Sequence, residues 1–287
     1  METPPVMAPP PLLEATPKDA KRWRWIVFLG LMVAYILSMT LLGHGRTSDS
    51  PALSSSLTGM LRETLLALLV FGVPFAIGLV IVRPRWADLY VIRRRNWMIT
   101  TLLGGLWSVA LRAAIMVPAI IGVMIFVLAD PKDGLENFKS HRPKVENLLD
   151  PGALADPVYA LVCMTWLSFV VAGLREELWR AAAIRGICAL GPGAQPTRRM
   201  EWIAVLVTSA LFGLAHLTQG WMAVGVTGLL GVGLGMIQIL RRSLLEAIIA
   251  HGFFDATTFF FLFILQQKDL LRKLGMPDNL IEQVLQR

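Results

Sequence analysis

Long apolar runs restrict what this sequence can fold into. Several of them reach the roughly 20 residues that an α-helix needs to cross the hydrocarbon core of a bilayer. A soluble domain carries about 25% charged residues, whereas this chain has 16% charged and 55% hydrophobic residues. It contains none of the alternating segments of about ten residues that are typical of a membrane β-barrel. The pattern predicts an all-α polytopic membrane protein.

Seven apolar runs are expected to cross the membrane. The third run, 97–128, is too long for one straight crossing and contains Arg112 and Pro118. It is therefore expected to tilt, to kink at the proline, or to lie partly at the interface, and its division would give an eighth crossing. Arg112 is a candidate structural partner for a buried carboxylate. The other runs cover about 25–43, 64–82, 157–190, 202–217, 221–240 and 243–265.

Positive charge lies in short blocks between these runs. The net charge is +7, and basic residues cluster before the first run and in the stretch RPRWADLYVIRRR after the second. This positive-inside pattern predicts a cytoplasmic N-terminus in the plasma or inner membrane, with membrane lipids as partners. Because the charge is explained by orientation in the membrane, no nucleic-acid partner is expected.

Two carboxylates in the stretch REELWR follow an apolar run in the second half of the chain. Glu176 lies four residues before Arg180 and Glu177 lies three before it, so either carboxylate can meet the arginine on one face of a helix. If the helix continues to about Leu190, Glu176 lies about 21 Å from its cytoplasmic end. Arg185 is then expected to extend toward the cytoplasmic surface.

Two further polar pairs occur on later apolar runs. Phe212 and His216 are four residues apart, as are His251 and Asp255, so each pair is expected to share a helix face. Ionisable residues at membrane depth are costly and usually functional. A polar intramembrane cavity is predicted where the faces converge. Glu246 is expected to be interfacial.

The chemistry open to such a set is hydrolysis. A glutamate with two histidines can deprotonate a water and stabilise an oxyanion. The same groups, Glu176, His216 and His251, could instead hold a divalent metal such as zinc. Each motif alone is more often structural. A non-catalytic immunity or scaffold protein and, less favoured, a small-solute or proton transporter are therefore alternatives.

Taken in order, these motifs resemble the CPBP family, which contains the type II CAAX prenyl proteases and the bacteriocin-processing or Abi proteins. The family pattern is a Glu-Glu pair followed by arginine, then Phe-x-x-x-His, then His-x-x-x-Asn or Asp. The last two motifs are complete in this sequence, and the resemblance covers about 155–265. Only two residues separate the glutamate pair from Arg180, where the family has three. Aligning the glutamates shifts Arg180 by about 100° around the helix.

The resemblance implies an intramembrane endopeptidase that acts on a peptide or protein, including a C-terminal segment. It implies that Glu176 or Glu177 activates the attacking water, with Arg180 as their partner. His216 and His251 are implied to assist or to ligate a metal, and Asp255 to help hold the site.

Four regions are predicted along the chain. They are a flexible, proline-rich tail (1–20), N-terminal transmembrane helices and loops (21–150), the CPBP-like catalytic core (151–266) and an amphipathic surface tail (267–287).

Overall fold

The computed structural model describes residues 22–44, 51–91, 96–191 and 196–278, without the side chains of 39–44. All regular secondary structure in these ranges is helical. The predicted N-terminal tail, 1–20, lies outside the described residues, as does the end of the predicted C-terminal tail.

The described helices follow the predicted apolar runs and add two short ones. Five of them are long and apolar enough to cross a membrane, which makes the chain an integral membrane protein: Leu57–Val82, Trp97–Ala129, Pro157–Leu190, Trp221–Arg241 and Leu244–Gln266. The predicted count of seven or eight crossings is not confirmed. The helices are α1 (Arg22–His44), α2 (Leu57–Val82), α3 (Trp97–Ala129), α4 (Gly134–Ser140), α5 (Pro157–Leu190), α6 (Arg198–Leu214), α7 (Trp221–Arg241), α8 (Leu244–Gln266) and α9 (Lys268–Lys273).

Helix α3 continues through Pro118 without interruption, so the division that would add a crossing is not seen. Its Arg112 packs against α8, where the guanidinium donates to the carbonyl oxygen of Phe254 and to Oγ1 of Thr257 (2.5 Å). Its hydrogen bonds go to a carbonyl and to hydroxyls, but it also interacts electrostatically with the carboxylate of Asp255, so the expected carboxylate partner is confirmed as a charge interaction and not as a hydrogen bond. The contact joins α3 to the helix that carries His251.

Helix α5 runs without a break from Pro157 to Leu190, as predicted. Asp156 caps its start by accepting from the backbone N–H of Val158 at 2.7 Å. Its middle, Cys163–Leu174, is π-helical, which the sequence did not predict. Such segments are rare and often lie at functional sites. This one ends immediately before Arg175, so it sets the rotation at which the two glutamates leave the helix.

The π-helical segment and α8 approach each other closely at Gly173. A Cβ at this position would lie 2.9 Å from the carbonyl oxygen of Ile248, a backbone atom that cannot move independently of α8. Glycine is therefore required by the spacing of the two helices that carry the predicted site.

We expect Gly173→Ala to lower the free energy of unfolding by about 1–3 kcal/mol, because the added methyl overpacks a fixed backbone contact. Gly105→Ala on α3 is the matched control, since a Cβ there meets nothing within 4 Å. That control should be neutral or stabilising, because alanine favours helix more than glycine does. Thermal unfolding of both variants in detergent measures the difference, and equal melting temperatures would contradict the packing argument.

Buried ion pairs hold the helices together at the end opposite the loops that precede α2 and α5. Arg185 of α5 is buried and lies 3.2 Å from Asp88, so the expectation that it extends to the surface is wrong. Glu246 is also buried within the protein, where it pairs with Arg241 at 3.2 Å, and its predicted position at the membrane interface stays a prediction.

Candidate active site

Side chains from three helical segments meet around one cavity of about 350 Å³. Glu176 comes from α5, His216 from the turn after α6, and His251 and Asp255 from α8, and all four line the cavity. The structure thus brings together residues from all three predicted motifs. It places the remaining two, Glu177 and Arg180, behind the cavity wall, where both are fully buried.

Glu177 is the centre of a buried hydrogen-bond network. Its Oε1 accepts from the guanidinium of Arg180 and from Nδ1 of His251 at 2.9 Å, and its Oε2 accepts from Nε2 of Gln238 at 2.9 Å. A buried carboxylate is tolerated when it is paired and hydrogen-bonded in this way. Of the two glutamates that could meet Arg180, Glu177 is the one that pairs with it.

Glu176 has a different environment. Its side chain keeps 19% of its surface exposed, and its Oε1 accepts from Nη2 of Arg175 at 2.6 Å. Its partner is thus the arginine that precedes it, and the predicted pairing with Arg180 at i+4 is wrong. The other oxygen, Oε2, lies 3.8 Å from Nε2 of His251. Glu176 is therefore paired with an arginine, reachable from the cavity and close to a histidine.

The ring of His251 connects the two glutamates. Because Glu177 offers only acceptors, Nδ1 of His251 carries the hydrogen in their contact. This leaves Nε2 facing Oε2 of Glu176 at 3.8 Å and Oδ2 of Asp255 at 3.6 Å. The predicted pairing of His251 with Asp255 on one face of α8 is confirmed as a geometric contact.

His216 lies just beyond the end of α6, which stops at Leu214. Its Nδ1 donates to the carbonyl oxygen of Phe212 at 2.8 Å, so the ring caps a free carbonyl at the helix end. Phe212 and His216 are therefore in contact, as expected, but they do not belong to one continuous helix. The bond again leaves Nε2 as the nitrogen that is free to act in the cavity.

The phenyl ring of Phe212 explains why this motif contains an aromatic residue. Its centroid lies 4.8 Å from the ring of His216 and 6.0 Å from that of His251. The guanidinium carbon of Arg180 lies 4.6 Å from the same centroid, within cation–π range. Phe212 thus packs against both imidazole rings and against the guanidinium of Arg180.

The predicted metal ligands are Glu176, His216 and His251. Across the described ranges, no three or more His, Cys, Asp or Glu side chains are grouped so that they could hold a metal ion. Nδ1 of His251 and Oε1 of Glu176 are both engaged by protein groups. A divalent metal held by Glu176, His216 and His251 stays a prediction.

The walls of the cavity away from these groups are mainly apolar. They come from α2, from the π-helical segment of α5, and from α7 and α8. One polar contact links two of them, since Nε1 of Trp166 donates to Oγ1 of Thr64 at 3.0 Å. The apolar wall residues include Ala67, Leu167, Val171, Val226, Leu230, Phe259 and Leu262.

A short loop, 143–149, covers one end of the cavity, and we call it the roof. The roof residues that line the cavity are Pro143, Val145 and Leu148. Hydrogen bonds hold the roof on both sides, from Leu53 N to Leu148 O and from Lys144 N to Gln219 O, both at 2.9 Å. The roof therefore joins the loop before α2 to the turn that follows His216.

The region that contains the three motifs resembles a known protein family. Residues 158–257 match the family of Rce1-like type II CAAX prenyl endopeptidases. The resemblance predicted from the motifs is thereby confirmed over these residues. No curated protein and no solved structure matches the chain. The Rce1-like match supports a CAAX-type intramembrane protease, for which the substrate is a peptide or protein.

The Rce1-like region contains all six predicted site residues. It also contains two that the sequence did not single out. Arg175 is the partner of Glu176, and Gln238 is a hydrogen-bond donor to Glu177. The signal for Arg175 was its position directly before the glutamate pair. The signal for Gln238 was an amide in the otherwise apolar run GLGMIQIL. The roof and the α2 wall lie outside the matched residues.

Proposed function

We propose that this chain is an intramembrane endopeptidase that hydrolyses a peptide bond with water, with Glu176 as the general base. The observation that carries the proposal is the difference between the two glutamates. Glu176 lines the cavity together with His216 and His251, whereas Glu177 is buried behind the wall. A general base must reach the proton that it removes, and this requirement favours Glu176.

In the proposed reaction the carboxylate of Glu176 takes a proton from water, and the oxygen of that water attacks the carbonyl carbon of the substrate. The carbonyl electron pair moves to oxygen and forms a tetrahedral oxyanion, which positioned donors in the cavity stabilise. The C–N bond then breaks, and the proton held by Glu176 passes to the leaving amine. The products are a new carboxyl terminus and a new amino terminus.

The proposed roles of the other residues follow from their contacts. His216 and His251 keep Nδ1 bound to protein acceptors and so present Nε2 to the cavity, where it accepts a proton and, once protonated, donates to the oxyanion. Asp255 lies beside Nε2 of His251 and helps hold that ring when this nitrogen carries a hydrogen. Glu177 and Arg180 fix the ring of His251 from behind.

The proposed setting is the plasma or inner membrane, with the N-terminus in the cytoplasm and seven crossings around a polar cavity. The basic blocks of the sequence support this orientation. Membrane lipids would surround the exposed apolar faces of α2 and α3, and the substrate would present its bond at membrane depth.

We expect the protein, purified in detergent, to cleave members of a peptide library in ¹⁸O-labelled water. Each new carboxyl terminus should contain one ¹⁸O atom, because the attacking oxygen comes from water. Mass spectrometry of the products measures the label. Absence of cleavage, together with solute flux in proteoliposomes, would favour a transporter and would overturn the proposal.

A further measurement separates the proposed reaction from the metal-bound alternative. We expect elemental analysis of the purified protein to find no stoichiometric divalent metal, because no three His, Cys, Asp or Glu side chains in the described ranges are grouped closely enough to hold one. The variants His216→Ala and His251→Ala serve as comparisons. One metal per chain that is lost in both variants would contradict the expectation and support zinc or a similar ion.

A further inference from the structure

Gln238 is a buried polar residue on α7, a helix that carries none of the three predicted motifs. Its side chain has no exposed surface. Its Nε2 donates to Oε2 of Glu177 at 2.9 Å and to the backbone carbonyl oxygen of Glu177 at 3.2 Å. Both bonds of the amide thus go to one residue on another helix.

The contribution of Gln238 is clear from how the two oxygens of Glu177 are used. Oε1 accepts from both Arg180 and His251, whereas Gln238 is the side-chain donor to Oε2 among the described residues. The terminal torsion of a glutamate is broad and poorly fixed by the chain itself. A donor on the second oxygen therefore defines the plane of the carboxylate.

The orientation of the amide supports a role beyond packing. Glu177 presents only acceptors, so the NH₂ group of Gln238 must face it. The amide oxygen, Oε1, is then buried with no hydrogen-bond partner in the described part of the chain. A buried polar atom without a partner is unfavourable, and an apolar residue of similar size would avoid it. The donor is therefore the property that this position supplies.

We propose that Gln238 is a positioning residue, which fixes the carboxylate of Glu177 and through it the ring of His251. With the plane of Glu177 fixed, Oε1 stays in line with Nδ1 of His251, and Nε2 stays directed at Glu176 and Asp255. Gln238 does not line the cavity, so it acts through Glu177 and not on the substrate. The inference rests on the proposed peptidase function.

The test compares Gln238→Leu with Gln238→Glu in peptide cleavage. We expect Gln238→Leu to lower kcat about 10- to 100-fold, the factor in rate that corresponds to loss of a hydrogen bond to a charged group, with KM unchanged. Gln238→Glu keeps the shape and adds a pH dependence. When protonated, the new carboxyl can donate to Glu177, and when ionised it repels Glu177. The activity of Gln238→Glu, divided by that of the original protein at the same pH, should therefore be high at low pH and fall as pH rises.

Gln266→Leu and Gln266→Glu, at the far end of α8 from the site, are the matched controls and should follow the original pH profile. A lower melting temperature of Gln238→Leu with unchanged kcat, and a pH profile of Gln238→Glu equal to that of its control, would overturn the proposal and leave Gln238 a packing residue.

A second readout does not depend on catalysis. ¹⁵N spectra of histidine-labelled protein, with His251→Ala to assign the signal, report the hydrogen bond made by Nδ1 of His251. We expect a strongly hydrogen-bonded Nδ1–H in the original protein and a weakened Nδ1–H hydrogen bond in Gln238→Leu. If no peptide is cleaved but this hydrogen bond weakens, the proposed function fails and the positioning role stands. An unchanged Nδ1–H signal contradicts the positioning role.

Discussion

Replacing Glu176 with glutamine is expected to lower the rate of peptide cleavage by about 10²- to 10⁴-fold, the usual contribution of a general base. Glutamine keeps the shape of the side chain and can still contact Arg175, but it cannot take a proton from water. Because Glu176 is partly exposed in the cavity, we expect the variant to fold normally. Cleavage rates and melting temperatures of purified protein in detergent test both parts.

The matched control is Glu136→Gln on α4. Its side chain is 77% exposed and lies 3.6 Å from Lys139, outside the Rce1-like region. This variant should retain full activity. Full activity in Glu176→Gln would show that another group activates the water. If only Glu177→Gln lost activity at an unchanged melting temperature, the assignments of the two glutamates would have to be exchanged.

The second large effect concerns stability. Arg180→Met is expected to lower the free energy of unfolding by about 3–5 kcal/mol, because it leaves the buried carboxylate of Glu177 without its cation. Both side chains of this pair are fully buried. Arg142→Met is the matched control. Arg142 pairs with Glu146 on the surface, where both side chains are 40% exposed, so its loss should cost at most about 1 kcal/mol.

The double variant Arg180→Met/Glu177→Leu distinguishes stability from catalysis. Removing both charges should restore much of the lost stability, since apolar replacements of buried pairs are often neutral or stabilising. Activity should stay low, because Nδ1 of His251 has then lost its acceptor. Chemical unfolding in mixed micelles measures the free energy of unfolding, and peptide cleavage measures the activity. Restored activity would contradict the role given to Glu177.

The sequence was sufficient to predict the helices and the convergence of the three motifs. Apolar runs of fixed length and i to i+4 spacing are local properties, so α5 was correctly predicted as one long helix with its glutamates near the middle. Which glutamate meets which arginine was not predictable. The π-helical segment changes the rotation of α5 just before Arg175, and ideal α-helical spacing does not include that change.

Other errors came from treating each helix alone. The burial of Arg185 and Glu246 against charges on other elements was not predicted. Gln238 could not be assigned a role, because its partner is 61 residues away in sequence. Such contacts depend on how helices pack against each other, which periodicity within one helix does not specify.

The roof has a consequence for how this protein can diversify. Residues 158–257 hold the groups proposed to react, whereas the roof and the α2 wall belong to residues outside the Rce1-like match. The groups proposed to react and this part of the cavity wall are thus encoded in separate stretches of the chain. A loop held by hydrogen bonds to neighbouring loops tolerates changes in sequence and length better than a membrane helix does. Proteins with the same reacting groups can therefore differ in the substrates they accept.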